Sequence, residues 1–443
     1  MTVLLRRDDL HASVTDPESA SMNFLNEVAA RFPAAISLAA GRPYDGFHTT
    51  DDLDRYLRSY LAHLEALGLT HEQRQRQLLQ YGRTNGHLGA LIARMLLVDE
   101  GIEVPEQAVM VTSGCQEAMV VALRGLCARP GDVVLAVEPC YVGLTGAARV
   151  LGVEVVPVPE SADGLDPDTV PAVVAAVRAS GRRPRALYLV PNFANPSGAS
   201  MPVAARHRLL DVAAECDLLL LEDDPYGLFG LDDEPRPTLK ALDTGERVVY
   251  LGSFAKSCFP GARVGFLVAD QTVVDASGRR TLLAEELSAV KSLLTVNTSP
   301  VAQAVIGGFL VEAGCSVRAA GKEKTAFYRR NLRTLLGALE SSFGDDPRVR
   351  WNTPAGGFFA VLDVPLTADE ALLETSGRDY GVLWTPMSFF YGAGADHGSG
   401  PAGSGGGGRR QIRLSCSALP PEDIGEGVRR LAQLVDDRAE EAR

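Results

Sequence analysis

The sequence predicts an α/β chain: a mostly parallel sheet flanked by helices, joined to a smaller α+β lobe. Three observations lead there. From Val109 onward, short unbroken apolar runs alternate with helical stretches, the pattern of strands buried on both faces beneath covering helices. At 443 residues the chain exceeds the usual size of a single core, about 100–200 residues. After about residue 300 the texture shifts to long helices followed by a few separated strands.

Residues 1–50 read as an N-terminal arm, a short helix and a segment belonging to the smaller lobe. Residues 51–310 read as the large domain. Its first helix is expected over 51–68, where Leu53, Tyr56, Leu57, Tyr60, Leu61 and Leu64 recur at helical spacing. Strands follow at VMVTSG, VVLAVEP, VEVVPV, ALYLVP, DLLLLEDD and VVYLGSF, with helices between them. Parallel sheets of this kind hold ligands at the carboxyl ends of their strands. Residues 311–443 read as the C-terminal small domain: a long helix from SVRAAGKEK, strands at VRWNTP, GGFFAVLDVP and RQIRLSCS, and a closing helix from EDIGEG. Residues 392–408, GAGADHGSGPAGSGGGG, read as a flexible surface loop.

Composition narrows the function. With 46% hydrophobic and 22% charged residues, the chain is globular rather than disordered. A net charge of −13 repels phosphate backbones and argues against nucleic acid as the main partner. No apolar run reaches the roughly 20 residues that span a bilayer, and no secretory leader is expected at the N-terminus. The seven cysteines are scattered with no C-x-x-C pair, so buried thiols in a cytoplasmic protein are expected, with neither disulfides nor a metal site.

Lysine occurs only at 240, 256, 291, 322 and 324, so a lysine-dependent reaction has few candidates. Lys256 lies in Ser253-Phe254-Ala255-Lys256 after an apolar strand, with Pro260-Gly261-Ala262-Arg263 following. That segment is either an ordinary basic turn or a site for covalent and phosphate chemistry, since a desolvated lysine supplies free amine. Glu222-Asp223-Asp224-Pro225-Tyr226 ends another strand; its acids either cap the next helix or face a ring cation. Asn195, in Asn195-Pro196-Ser197-Gly198, sits in a turn and offers an amide donor at the sheet edge. Thr112-Ser113-Gly114-Cys115-Gln116 joins a strand to a helix and exposes backbone N–H groups, a natural anion site.

In order and spacing, NPSG, then EDDPY, then SF-x-K with PGAR, the chain resembles the fold-type-I pyridoxal-phosphate enzymes, specifically the class I/II aminotransferases. The resemblance runs from Ala40-Gly41-Arg42-Pro43 to Ile412-Arg413-Leu414-Ser415. It implies pyridoxal 5'-phosphate as cofactor, an amino acid and a 2-oxo acid as substrates, and a homodimer. Lys256 matches the lysine that holds the cofactor and moves the proton. Asp223 matches the acid at the ring nitrogen, and Tyr226 and Asn195 the donors to the ring oxygen. Tyr141 matches the stacking aromatic. Gly114, Cys115, Gln116, Ser253 and Arg263 match the phosphate cup, and Tyr81 the tyrosine serving the neighbouring subunit. Arg413, with Gly41 and Asn195, matches the substrate carboxylate site. Ala255 stands where many relatives have a second serine, and Cys115 where a serine often meets phosphate.

A narrower resemblance rests on GRPYDGF, QYG-x-T-x-G, GCQEAM, TVNTSP and W-TPMS-F-Y. It is to the arylglycine transaminases of nonribosomal peptide antibiotic pathways, which form hydroxyphenylglycine, 3,5-dihydroxyphenylglycine or phenylglycine. Tyr44, Phe47, Phe358, Trp384, Phe389, Phe390 and Tyr391 are then either walls for an aryl substrate or buried core aromatics.

Overall fold

The computed structural model describes residues 4–15, 27–234, 236–392 and 408–441. The glycine-rich segment expected at 392–408 lies outside them except for its two end residues.

The larger sheet has eight strands: β1 (Val109–Thr112), β2 (Asp132–Glu138), β3 (Glu154–Ser161), β4 (Gly164–Leu165), β5 (Arg183–Leu189), β6 (Leu219–Asp223), β7 (Val248–Ser253) and β8 (Gly265–Val268). Their order is β1-β8-β7-β6-β5-β2-β3-β4. Neighbours from β7 through β6, β5 and β2 to β3 are parallel. The sheet departs from parallel only at β4 and β8. Successive side chains point to opposite faces: Leu220 and Val248 pack into one core, Leu221 and Val249 into the other. Both faces are dry, which explains the unbroken apolar runs.

Strand β8 is four residues long and was not among the expected strands; its run is too short to stand out from the loop before it. It nevertheless shapes the site. Gly265 pairs with Thr112 on one side and with Ser253 on the other. The turn after β1 and the end of β7 are thereby brought together.

The helix expected over 51–68 spans Thr50–Ala66 and buries Tyr56, Tyr60 and Leu64, while Leu53 is exposed. It begins at Thr49, with Asp52 closing a capping box. A second sheet comprises β9 (Arg350–Trp351), β10 (Phe359–Asp363), β11 (Thr385–Pro386) and β12 (Gln411–Ser415), in the order β9-β10-β12-β11, all antiparallel. Its core also takes in the helices Lys322–Phe343 and Pro421–Glu441. Ile36–Ser37 pairs in parallel with Val382–Leu383, tying the N-terminal segment to this sheet. That pairing carries residues 39–41 past β12 and toward the ends of β6 and β7. No helix among the described residues is long and apolar enough to cross a membrane.

Candidate active site

The carboxyl ends of β5, β6 and β7 face β12 of the second sheet, and the site lies between them. Asp223 closes β6 and is only 4% exposed. One of its oxygens accepts from the Tyr188 hydroxyl at 2.8 Å and the other from the Cys115 thiol at 3.5 Å. Burial pushes its pKa up to about 6, against the pull of those two donors. Asp224, pointing the other way, accepts from Asn192 at 3.1 Å. Glu222 accepts from the backbone of Leu239 and Lys240. Of the three adjacent acids, only Asp223 points into the site.

Lys256 sits on the short helix Phe254–Ser257, whose first turn is capped by Ser253. Its ammonium donates to the Gly41 carbonyl at 2.6 Å. Burial, then the Arg413 and Arg263 charges, bring its pKa down to about 8. Gly41 has to be glycine: a Cβ there would lie 2.6 Å from the Phe359 ring.

Arg413 is fixed by the register of β12, opposite Val361 on β10 and Thr385 on β11. Its guanidinium donates to Asn195 at 2.6 Å, to the Ala39 carbonyl at 2.7 Å and to Thr385 at 3.2 Å. The rings of Phe359 and Phe390 lie 4.4 and 4.9 Å from its central carbon, a cation–π clamp. Its Nε is buried with no protein partner. A guanidinium oriented this firmly, with an unspent buried N–H, is prepared for a planar anion. Burial pushes the Tyr226 hydroxyl pKa up, while Asn195 pulls it the other way. Tyr226 is buried and meets Phe358 and Phe359 edge-on.

At the β1 and β7 ends, Gly114 has φ +80°, and a Cβ there would meet the Arg263 guanidinium at 2.5 Å. Arg263 itself takes a left-handed φ of 50°. The helix Cys115–Leu126 starts at this point, so its free N–H groups and Arg263 flank one region, an arrangement suited to a phosphate. Gln116 donates to the Gly143 carbonyl at 2.6 Å. That bond anchors the turn carrying Tyr141, whose hydroxyl burial pushes up to about 12.

The chain thus gathers Lys256, Asp223, Asn195, Tyr226, Tyr141, Arg413, Gly41, Gly114, Cys115, Ser253 and Arg263 around one space. One candidate stands apart. Tyr81 is 84% exposed, away from the others. The Cys115 thiol is spent on Asp223, leaving its backbone N–H for an anion. Among the aromatics, Trp384 and Phe358 are wholly buried core residues, and Tyr44 stacks on Phe327 at 4.7 Å. Phe390 alone of that set borders Arg413. Sequence reasoning missed Tyr188, Thr385, the Ala39 carbonyl and Phe359. A tyrosine inside a leucine-rich buried strand was a usable signal, because its hydroxyl needs a partner there.

Comparison with known proteins gives the same picture. Residues 36–431 match the family model for aminotransferase class I and II. The chain is 47% identical over 444 aligned residues to the (S)-3,5-dihydroxyphenylglycine transaminase of Amycolatopsis orientalis, covering 99% of this chain and 96% of that protein. It is 29% identical to aromatic-amino-acid aminotransferase 1 of Thermococcus litoralis, over 91% and 88% of the two chains. Among solved structures it resembles the alpha-aminoadipate aminotransferase of Thermus thermophilus, complexed with phosphopyridoxyl-leucine (TM-score 0.77, 27% identity, 99% and 100% covered). It also resembles the kynurenine aminotransferase of Pyrococcus horikoshii (TM-score 0.78, 26% identity, 98% and 97% covered). The chain therefore belongs to the class I and II aminotransferases and is a pyridoxal-phosphate-dependent enzyme.

Proposed function

We propose that this aminotransferase forms an arylglycine from the corresponding arylglyoxylate, with 3,5-dihydroxyphenylglycine first among the candidates and 4-hydroxyphenylglycine and phenylglycine next. The observation that carries this is the 47% identity, across nearly both full lengths, to the dihydroxyphenylglycine transaminase. The setting is nonribosomal peptide antibiotic biosynthesis, and the working form is a cytoplasmic homodimer with residues 51–310 as its cofactor domain.

The residues suit pyridoxal phosphate. Arg263 and the N–H groups beyond Gly114 would receive the phosphate, with Gln116 and Ser253 bracing the same turns. Asp223 would meet the ring nitrogen, Tyr226 and Asn195 would serve the ring oxygen, and Tyr141 would stack on the ring. The chemistry such a cofactor would supply is a sink for the electron pair left on the substrate α-carbon when its proton is removed. Lys256 is the base for that proton: with a pKa near 8, a useful share of its amine is neutral around pH 7–8. In the cofactor-free chain the Gly41 carbonyl holds Lys256 Nζ. Arg413 takes the substrate α-carboxylate through the guanidinium edge that now meets Asn195. The wall of Phe359 and Phe390 keeps water from that ion pair.

The test is an anaerobic half-reaction. Purified holoenzyme is mixed with tyrosine, phenylalanine, glutamate, phenylglycine or hydroxyphenylglycine while the visible cofactor band is followed. Bleaching by arylglycines, reversed by an arylglyoxylate, is the expected result. Bleaching by glutamate alone would leave an aminotransferase of other specificity. Turnover that needs oxygen would point to a different reaction on this scaffold.

A further inference from the structure

Behind the helix that carries Lys256, and outside the substrate site, lies a second lysine. Lys324 stands on the first turn of the helix Lys322–Phe343. Its ammonium donates to the carbonyls of Ser257 and Cys258, both at 2.9 Å, and lies 2.9 Å from His48 Nε2. An ammonium has three protons, and here three acceptors use them. The two carbonyls are those at the end of Phe254–Ser257, one and two residues beyond Lys256. A helix of four residues has little stability of its own, so its end is held from outside. A cation on terminal carbonyls is also the favourable sign for a helix C-terminus.

We propose that Lys324 is a positioning residue for Lys256, and that His48 makes this support sensitive to pH. The pin joins three segments: the small-lobe helix, the turn after Lys256, and the segment 41–48 whose Gly41 carbonyl receives Lys256 Nζ. It therefore braces the backbone just after Lys256 and the segment that carries Gly41. The third bond exists only while His48 is neutral, with its proton on Nδ1. Protonating His48 deletes an acceptor and sets two cations 2.9 Å apart. The other titratable groups facing the pair are Asp52 and the Cys258 thiol; the Phe47 and Phe259 rings complete the surroundings. Burial and then Lys324 hold the His48 pKa below its ordinary value. Burial brings Lys324 down to about 8. The pin is intact between those two limits. It loosens as pH falls through the His48 value, and weakens as pH rises past about 8 and Lys324 loses its charge.

The inference rests on Lys256 being the catalytic lysine, and the experiment separates the two. Lys256→Ala should abolish turnover and the lysine-linked visible band; if it does not, that reading fails whatever Lys324 does. In the holoenzymes of Lys324→Met and His48→Gln, kcat, KM and the pH titration of the visible band are measured together. Lys324→Met should lower kcat about 10- to 100-fold, the scale of a misplaced reacting group, with KM for the amino acid nearly unchanged and the band titration shifted. His48→Gln keeps an acceptor that does not titrate. It should retain the wild-type plateau and lose the acid limb of the kcat profile. If Lys324→Met does not fold, His48→Gln decides alone. Wild-type kcat and band titration in Lys324→Met, even with a lower melting temperature, would make the residue merely structural and overturn the proposal. An unchanged acid limb in His48→Gln would overturn the role of the histidine.

Discussion

The two ends of the active site are finished differently. At the Asp223 end everything is enclosed: the carboxylate is 4% exposed, Tyr188 is 1% exposed, and both Asp223 oxygens have protein donors. At the Arg263 end the chain leaves its groups open. Arg263 and Gln116 are exposed. The difference fits the task proposed for each end. Tuning a ring's charge requires a dry, preorganised carboxylate, because electrostatic effects are strongest where water is excluded. Holding a phosphate can be shared with solvent or with another chain.

The largest effect should come from breaking the closed end. Asp223→Asn keeps the shape and removes the charge. Activity is expected to fall by about 10²- to 10³-fold or more, the scale of an uncompensated buried charge of several kcal/mol. The same change should stabilise the cofactor-free protein. The folded state holds the Asp223 proton more tightly, at about 6, than the ordinary carboxylate value of 3.8. That stabilising grip on the proton is fully present below about pH 4 and is lost as pH rises through about 6. Asparagine never ionises, so at pH 7–8 the melting temperature of cofactor-free Asp223→Asn should exceed that of cofactor-free wild type, while at pH 4 the gap should close. A variant less stable at pH 8 would show that the enclosure does not strain the carboxylate.

A smaller effect tests the open end. If the Arg263 side is completed by Tyr81 of the partner subunit, Tyr81→Phe should weaken cofactor retention about tenfold. That is the size of a hydrogen bond to a charged group, about 1.5 kcal/mol or somewhat more. Cofactor loss on dialysis and sedimentation at nanomolar concentration are the measurements. A monomer that keeps its cofactor and full activity would mean that one chain finishes both ends.

Much of this division was legible in the sequence. Lys256, Asp223, Asn195 and Arg413 stand at strand ends or within short motifs, where polar residues interrupt apolar runs and so declare themselves. What stayed hidden was partnership across the fold. Thr385 is an unremarked residue until β11 is laid beside β12 and sets it against Arg413. Lys324 reads as one more cation on an amphipathic helix, because nothing local says that its ammonium ends on the carbonyls after Lys256. Strand β8, only four residues long, was overlooked, yet it brings Ser253 and Thr112 to the two sides of Gly265. Chemistry-bearing residues are a local signal; their supports depend on register and topology.

The smallest predicted effect is the sharpest test of the closed end. Tyr188→Phe removes one hydroxyl and almost no volume, so the core of β5 should pack as before. It also deletes the shorter of the two donors to Asp223, leaving the Cys115 thiol, a weak donor. A hydrogen bond of this kind contributes about 1 kcal/mol, so activity should fall only about fivefold. The direction of the titration is more telling than its size. Tyr188 pulls the Asp223 pKa down; without it, the carboxyl of the cofactor-free variant should titrate above the wild-type value of about 6. Difference infrared or carbon NMR on labelled aspartate would follow that step. If the carboxyl titrates unchanged, Tyr188 is a packing residue whose hydroxyl happens to lie nearby, and the closed end owes its tuning to burial and Cys115 alone.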